Sequence, residues 1–162
     1  MSQQSTTLSS STSAIRLPFD GIAVHHQDTL LLLGRLVMAS IFINSGFEKL
    51  MALDGFAANL ASKGVPLAAI FAPLGACVEF FGGLAVALGF ASRASALLMI
   101  IFVIIATAIS HRYWEFDGAS RHAQAINFEK NAGILGGFIT LFAVGAGRFS
   151  VDRLWRGSHP PA

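Results

Sequence analysis

The sequence predicts an all-α integral membrane protein, a four-helix bundle with a short interfacial helix between the first and second spans. Two observations support this fold class. Hydrophobic residues make up 54% of the 162 residues and charged residues only 12%, whereas about a quarter of an average soluble domain is charged. The apolar residues also fall into four long runs, each close to the roughly 20 residues that a helix needs to cross a bilayer.

The four predicted spans cover residues 29–50, 67–90, 95–111 and 128–147. The third run is the most apolar, and the fourth is the least hydrophobic. Only residues 89–93 separate the second span from the third. A connection this short allows only a tight antiparallel hairpin, so these two helices must be neighbours.

The segments between the spans have the composition of a membrane surface. After the first span, Asp54 can cap a short helix that carries Phe56 and Leu60 on one face. We expect this helix to lie along the interface. The polar segment before the fourth span contains Tyr113 and Trp114, which suit the headgroup region.

The chain divides into one membrane domain and two tails. Residues 1–28 form a polar tail and lead-in, whose Ser, Thr and Gln content predicts disorder. Residues 29–150 form the four-span domain, and residues 151–162 form a short polar C-terminal tail.

Composition argues against several classes of function. The formal net charge is only +2 and the basic residues are scattered, unlike the basic and aromatic clusters of nucleic-acid sites. Cys77 is the only cysteine, so no internal disulfide or thiolate cluster can form. His25 and His26 lie in the tail without the spacing of helical metal ligands. We therefore expect no nucleic-acid binding and no metal site.

Two ionisable residues lie within the predicted spans, Arg35 and Glu79. A charge inside the bilayer costs several kcal/mol unless it finds a partner or water. Arg35 is close enough to the end of its span either to reach the interface with its long side chain or to act as an intramembrane charge partner. Glu79 is too deep to reach the surface, so we expect it to face the bundle interior, either paired or protonated.

Antiparallel threading brings further polar residues to the membrane face opposite the termini. With Glu79 they form the candidate functional site, here called the polar mouth: Asn44, Glu48, Lys49, His111, Glu129, Lys130 and Asn131. Depth along the helices places Glu79 nearer to this group than to Arg35. We therefore predict that Glu79 belongs with Asn44 and with Lys49, His111 and Lys130, and a direct pair with Arg35 is the alternative.

Small residues predict where the helices approach closely, because lipid provides no hydrophobic drive for helix association. Gly133 and Gly137 form a small-xxx-small pair on the fourth span. Gly46 on the first span and Gly82 and Gly83 on the second are further candidates.

Segments spread along all four spans resemble the DoxX family of small membrane proteins, over roughly residues 30 to 152. The matching segments are GRL at 34–36, SGFEKL at 45–50, EFFGG at 79–83, LGF at 88–90, NFEKN at 127–131 and GAGRFSVD at 145–152. The resemblance implies a four-helix architecture and a bacterial inner-membrane address. Members of the family have been linked to quinone-dependent sulfur oxidation, to membrane oxidoreductase complexes and to the maturation of other proteins.

From this resemblance we expect a membrane subunit or anchor of an oxidoreductase or redox-defence system near the quinone pool. No cofactor ligand set is evident, and quinone is the one cofactor that this interpretation brings in. The partners would be the bilayer, a soluble or membrane oxidoreductase and further copies of the chain. Two alternatives remain open: a small-solute or proton carrier that uses Glu79, and an assembly factor without catalysis.

The distribution of basic residues gives the expected orientation. Each membrane face receives five of them once Arg35 is set aside, but Lys49 and Lys130 each sit beside a glutamate. If those two belong to a site, the remaining excess lies on the side of the termini, and the positive-inside rule places both termini in the cytoplasm.

Overall fold

The computed structural model describes residues 19–158, and all regular structure in this part of the chain is helical. The predicted all-α class is confirmed. A 3-10 turn at Tyr113–Glu115 precedes the sixth of seven α-helices. Their bounds are α1 Asp20–His25, α2 Gln27–Met51, α3 Leu53–Ser62, α4 Ala68–Leu88, α5 Ser92–Ser110, α6 Gly118–Val144 and α7 Val151–Ser158.

Three of these helices, α2, α4 and α5, are long and apolar enough to cross a membrane. They correspond to the first three predicted spans, with ends that differ by no more than three residues. Large apolar side chains such as Val37, Ile41 and Ile104 are exposed on their outer surfaces, where lipid would cover them. The hairpin between α4 and α5 turns at Gly89, whose φ of +66° is the left-handed conformation that ends many helices.

The sixth helix differs from the prediction. α6 begins at Gly118, ten residues before the predicted fourth span, so most of the segment expected as a surface loop is helical. Ala and Gln residues in this segment favour a helix despite its polarity. α6 is not among the helices that meet the membrane-span requirement, and Glu129, Lys130 and Asn131 lie within its predicted span. The fourth span therefore remains a prediction for the second half of α6, where Phe138 and Leu141 are buried.

The short helix expected after the first span is α3, and it lies on α4. Asp54 is in its first turn, but the helix has no side-chain cap hydrogen bond. Leu60 is buried with Ala68 and Ala72 of the α4 N-terminal half, and Phe56 packs against the same cluster. α3 thus covers one flank of α4 in addition to running between two spans.

Both segments expected as tails contain helix where the structure describes them. α1 and the first residues of α2 occupy positions within the predicted lead-in, and α7 occupies residues 151–158. The rest of these tails, residues 1–18 and 159–162, lies outside the described residues. Asp152 anchors α7, because its carboxylate accepts hydrogen bonds from the backbone N–H groups of Ala91 and Ser92 at 2.7 and 2.8 Å and from the Ser92 hydroxyl at 2.6 Å.

Arg35 belongs to this same end of the molecule, here called the terminal face. Its side chain is buried within the protein, with 1% of the residue exposed. Its Nη2 donates a hydrogen bond to the carbonyl oxygen of Phe149 at 2.5 Å. Arg35 is therefore not the partner of Glu79, because its guanidinium is engaged by the segment that leads into α7.

The closest helix approach is between α2 and α4. A Cβ atom at Gly46 would lie 2.6 Å from the backbone nitrogen of Phe80, and one at Gly83 would lie 3.1 Å from side-chain atoms of Phe42 and Ile43. The main apolar core lies between these helices, α5 and α6, and its buried members are Ala39, Phe42, Val86, Ala96, Met99, Val103, Phe138 and Leu141. Glycine at position 46 is thus what allows the two backbones to touch.

The small-residue pair predicted on α6 does not form such a contact. Nothing lies within 4 Å of a Cβ placed at Gly133, and a Cβ at Gly137 would meet only the side chain of Met38. That neighbour is flexible and can move. The small residues therefore predicted the close contacts at Gly46 and Gly83, whereas Gly133 faces open space.

We predict that Gly46→Ala lowers the stability of the bundle by about 1–3 kcal/mol, the usual cost of overpacking a tight contact. The matched change Gly133→Ala meets open space and replaces a flexible helix residue, so it should stabilise the protein by up to about 1 kcal/mol. Unfolding of the purified protein in detergent measures both. Equal stability of the two variants would contradict a backbone contact at Gly46.

Candidate functional site

The buried carboxyl group of Glu79 is paired with the ammonium group of Lys49. Glu79 lies near the middle of α4 and its side chain is 6% exposed, whereas Lys49 lies in the last turn of α2 and its side chain is 30% exposed. The Lys49 Nζ is 2.5 Å from the Glu79 Oε2. Two residues of the predicted polar mouth, 30 positions apart, are brought together by the packing of α2 on α4.

Three helices hold the Lys49 side chain in place. Its Nζ also donates to the Ser45 hydroxyl at 2.9 Å, one turn earlier on α2. The ring of Phe56 on α3 faces the same ammonium group at 5.2 Å from the ring centroid, within the range of a cation–π contact. The pair thus joins α2, α3 and α4. Removing one member of a buried pair typically costs about 3–5 kcal/mol, because the remaining charge is left without compensation.

The ion pair borders a large apolar cavity, here called the α3–α4 cavity. Its volume is about 1140 Å³, and residues from α2, α3, α4 and α5 line it. Apolar side chains form most of the wall, including Phe71, Leu74, Phe102 and Ile105. Cavities that bind small ligands share this composition, in which a few convergent polar groups stand on a mainly apolar surface.

A second lysine lines the same cavity at its loop end. Burial lowers the pKa of the Lys63 ammonium group, and the positive charges of Arg112 and Lys49 lower it further. Arg112 holds this loop, since its Nη2 donates to the Lys63 carbonyl oxygen at 3.2 Å. None of the ion pairs within residues 19–158 involves Lys63. The cavity therefore presents a positive charge without an acidic partner in the described chain.

Two other residues of the polar mouth also line the α3–α4 cavity. Glu48 neighbours Lys49 on α2, and His111 follows the last turn of α5. The Nδ1 of His111 is 2.9 Å from the Gln124 Oε1 on α6, a contact that orients the imidazole ring. Glu79, Lys49, Glu48 and His111 therefore surround one space, although three different helices contribute to it.

The remaining predicted residues lie elsewhere. Asn131 donates to the Thr107 hydroxyl at 2.8 Å and ties α6 to α5. Glu129 and Lys130 are exposed on α6, Asn44 is exposed on α2, and none of these three lines the cavity. Asn44 and Lys49 are five positions apart, which corresponds to about 140° around a helix. Depth placed Asn44 beside Glu79, but rotation around α2 turns it away.

Sequence reasoning missed the contribution of α3. Phe56 and Asn59 on α3 and Lys63 after it line the cavity. The apolar face formed by Phe56 and Leu60 was the available signal, because that face must be covered by something. In the structure this face packs on Ala68 and Ala72 of α4, and the interfacial position of α3 stays a prediction. Within the described residues, no group of three His, Cys, Asp or Glu side chains is placed to hold a metal ion.

Comparisons with known proteins identify relatives over most of the chain. A family model described as DoxX matches residues 30–112. The chain is 36% identical to the inner membrane protein YphA of Escherichia coli over 127 residues, 78% of this chain and 91% of that protein. It is 34% identical to the inner membrane protein YqjF of the same organism over 131 residues, 79% of this chain and 93% of that protein. No solved structure gives a significant match.

The ion pair leads to a double-mutant prediction. Lys49→Met and Glu79→Gln should each destabilise the protein, because each leaves one polar group of a buried pair uncompensated. The double variant should be less destabilised than the sum, with a coupling of about 1–3 kcal/mol. The matched cycle of Arg35→Gln with Glu79→Gln should be additive, since Arg35 contacts Phe149 instead. Coupling of Glu79 to Arg35 and none to Lys49, measured by unfolding in detergent, would refute this assignment.

Proposed function

This chain belongs to the DoxX family, and we propose that it is the membrane subunit or anchor of an oxidoreductase or redox-defence system near the quinone pool. The observation that supports this proposal is the α3–α4 cavity with a buried ion pair at its wall. The cavity is the part of the described chain best suited to hold a molecule dissolved in the membrane.

The bacterial inner membrane is the proposed location, with both termini in the cytoplasm. The two relatives are named inner membrane proteins, and three helices of this chain are long and apolar enough to span a bilayer. We assign the fourth crossing to the second half of α6, which packs against α5 through Phe138 and Leu141. With four crossings, α1 and α7 lie on one face and the cavity opens towards the other.

A quinone fits the chemistry of the cavity walls. Its ring and prenyl chain are apolar and match the surface formed by Phe71, Leu74 and Phe102. Its two carbonyl oxygens are hydrogen-bond acceptors, and Lys49 and Lys63 are donors that border the space. The proposed ligand would enter from the bilayer, with its head group towards the ion pair and its chain along α4.

Glu79 and Lys49 have a defined role in this proposal. Lys49 positions a carbonyl oxygen of the quinone by donating a hydrogen bond to it. Glu79 keeps the Lys49 ammonium group in place inside a low-dielectric site. Electrons would come from the partner oxidoreductase. This chain would therefore contribute binding and orientation of the quinone.

A carrier function is the second candidate, and the burial of Glu79 favours it. An acidic residue near the middle of a predicted span, with only 4% of the residue exposed, is typical of proteins that move ions or solutes across a bilayer. In that case Lys49 would alternate between pairing with Glu79 and releasing it. The carrier requires flux of protons or solute across the bilayer, whereas the quinone site requires none.

Two alanines on α5 allow a matched test of quinone binding. Ala106 lines the α3–α4 cavity, and Ala108 is exposed on another side of the same helix. With the purified protein in nanodiscs, Ala106→Trp should weaken binding of a short-chain ubiquinone analogue by about tenfold or more, which is roughly 1.4 kcal/mol. Ala108→Trp adds the same indole ring outside the cavity and should leave the affinity unchanged.

Three results would count against a quinone site. The first is no measurable binding of the analogue to the wild-type protein. The second is wild-type affinity in both tryptophan variants, and the third is an equal loss of affinity in both. Proton flux into liposomes that is lost in Glu79→Gln, without quinone binding, would establish the carrier instead. Failure of a partner oxidoreductase to assemble when this chain is deleted, without binding or flux, would point to the assembly factor.

A further inference from the structure

The terminal face carries a second cavity with different chemistry. It has a volume of about 740 Å³ and lies between the α4–α5 hairpin, the end of α6 and the start of α7. Its position at the ends of α4, α5 and α6 places it at the level of the lipid headgroups, on the membrane face opposite the α3–α4 cavity. We call it the terminal-face cavity.

Two arginines line the terminal-face cavity, Arg93 and Arg153. Arg93 donates one hydrogen bond to the Ala143 carbonyl oxygen at 3.2 Å. Among the described residues, the guanidinium of Arg153 forms no hydrogen bond or ion pair, and its backbone N–H donates to the carbonyl and hydroxyl oxygens of Ser150. Both guanidinium groups therefore have donors left for an external acceptor.

The acidic residue in the same cavity does not cancel these charges. The Asp152 carboxylate accepts three hydrogen bonds from Ala91 and Ser92 at the start of α5. An acidic side chain in this position is compensated by the positive end of the helix dipole. The cavity thus keeps two cationic side chains, and the α5 N-terminus itself is already occupied.

Apolar groups next to the cavity indicate contact with lipid. Phe90 and Trp155 both line it, and their ring centroids are 6.4 Å apart. Trp155 is 60% exposed, and Leu154 beside it is also exposed. Aromatic rings in such a place are typical of the membrane interface. A free phosphate ion would use the arginines alone, whereas a phospholipid would also cover these side chains.

We propose that the terminal-face cavity binds an anionic phospholipid, with the phosphate between Arg93 and Arg153 and the acyl chains along Phe90 and Trp155. Arginine is suited to this role because its planar guanidinium donates two hydrogen bonds to one phosphate group. Basic pockets at the ends of membrane helices commonly hold anionic headgroups. The lipid would fix α7 against the membrane surface. This site is independent of any ligand in the α3–α4 cavity.

The test uses the full-length protein in nanodiscs or detergent, with native mass spectrometry to count retained lipids. Wild-type protein should retain phosphatidylglycerol in preference to phosphatidylcholine. Arg93→Gln and Arg153→Gln should each reduce retention of phosphatidylglycerol by roughly fivefold, the expected effect of one basic residue at an anionic surface. Arg93→Lys and Arg153→Lys keep the charge and should retain most of the binding.

Arg121→Gln is the matched control, because it removes one positive charge from the start of α6, on the opposite membrane face. It should leave lipid retention unchanged. Arg153→Gln is the decisive variant if Arg93→Gln unfolds, since the Arg153 guanidinium forms no hydrogen bond or ion pair within the described residues. The proposal would be overturned by equal retention of both lipids, by wild-type retention in Arg153→Gln, by equal loss in the Arg121 control, or by full displacement with millimolar inorganic phosphate.

Discussion

A carboxylate inside the bilayer must be compensated, and the pairing of Glu79 with Lys49 is the arrangement on which the other features of the site depend. The two residues meet because α2 and α4 lie side by side, and that approach requires glycine at position 46, opposite the backbone of Phe80. Gly46 is one turn before Lys49, and Phe80 is next to Glu79. The close contact and the ion pair are therefore neighbours, and each fixes the register in which the other can form.

The two ends of the bundle differ in the role of their charged residues. At the terminal face, Arg35 and Asp152 hold the C-terminal segment, Arg35 through the Phe149 carbonyl oxygen and Asp152 through the start of α5. At the other end, α3 closes over α4 without filling the space beneath it, and Lys49 keeps Glu79 at the wall of an apolar cavity. The terminal face thus holds the C-terminal segment and carries a cavity with two arginines, whereas the other end carries an apolar cavity with the Lys49–Glu79 pair at its wall.

The sequence alone predicts the features that depend on composition and on position along a helix. Apolar runs identified α2, α4 and α5 closely, and helix rise separated Glu79 from Arg35. It does not predict which residues meet when this depends on the rotation of a helix about its axis or on a contact between residues distant in the sequence. Asn44 has the right depth but the wrong rotation, and the partner of Arg35 is a backbone carbonyl group 114 positions away that no pattern reveals. The start of α6 was missed because helix formers there are polar, and the fourth span and the roles of the site residues remain predictions.

The central claim is that Glu79 is the partner of Lys49 at the wall of the α3–α4 cavity. Solid-state NMR of the isotope-labelled protein in lipid bilayers measures this contact directly, as the dipolar coupling between the Lys49 side-chain nitrogen and the Glu79 carboxyl carbon, with Lys49→Met used to assign the lysine signal. We expect a strong coupling between these two atoms, because the Lys49 Nζ is within hydrogen-bond distance of the Glu79 Oε2. Absence of this coupling in the wild-type protein, or a coupling of the Glu79 carboxyl group to the Arg35 guanidinium instead, would contradict the claim.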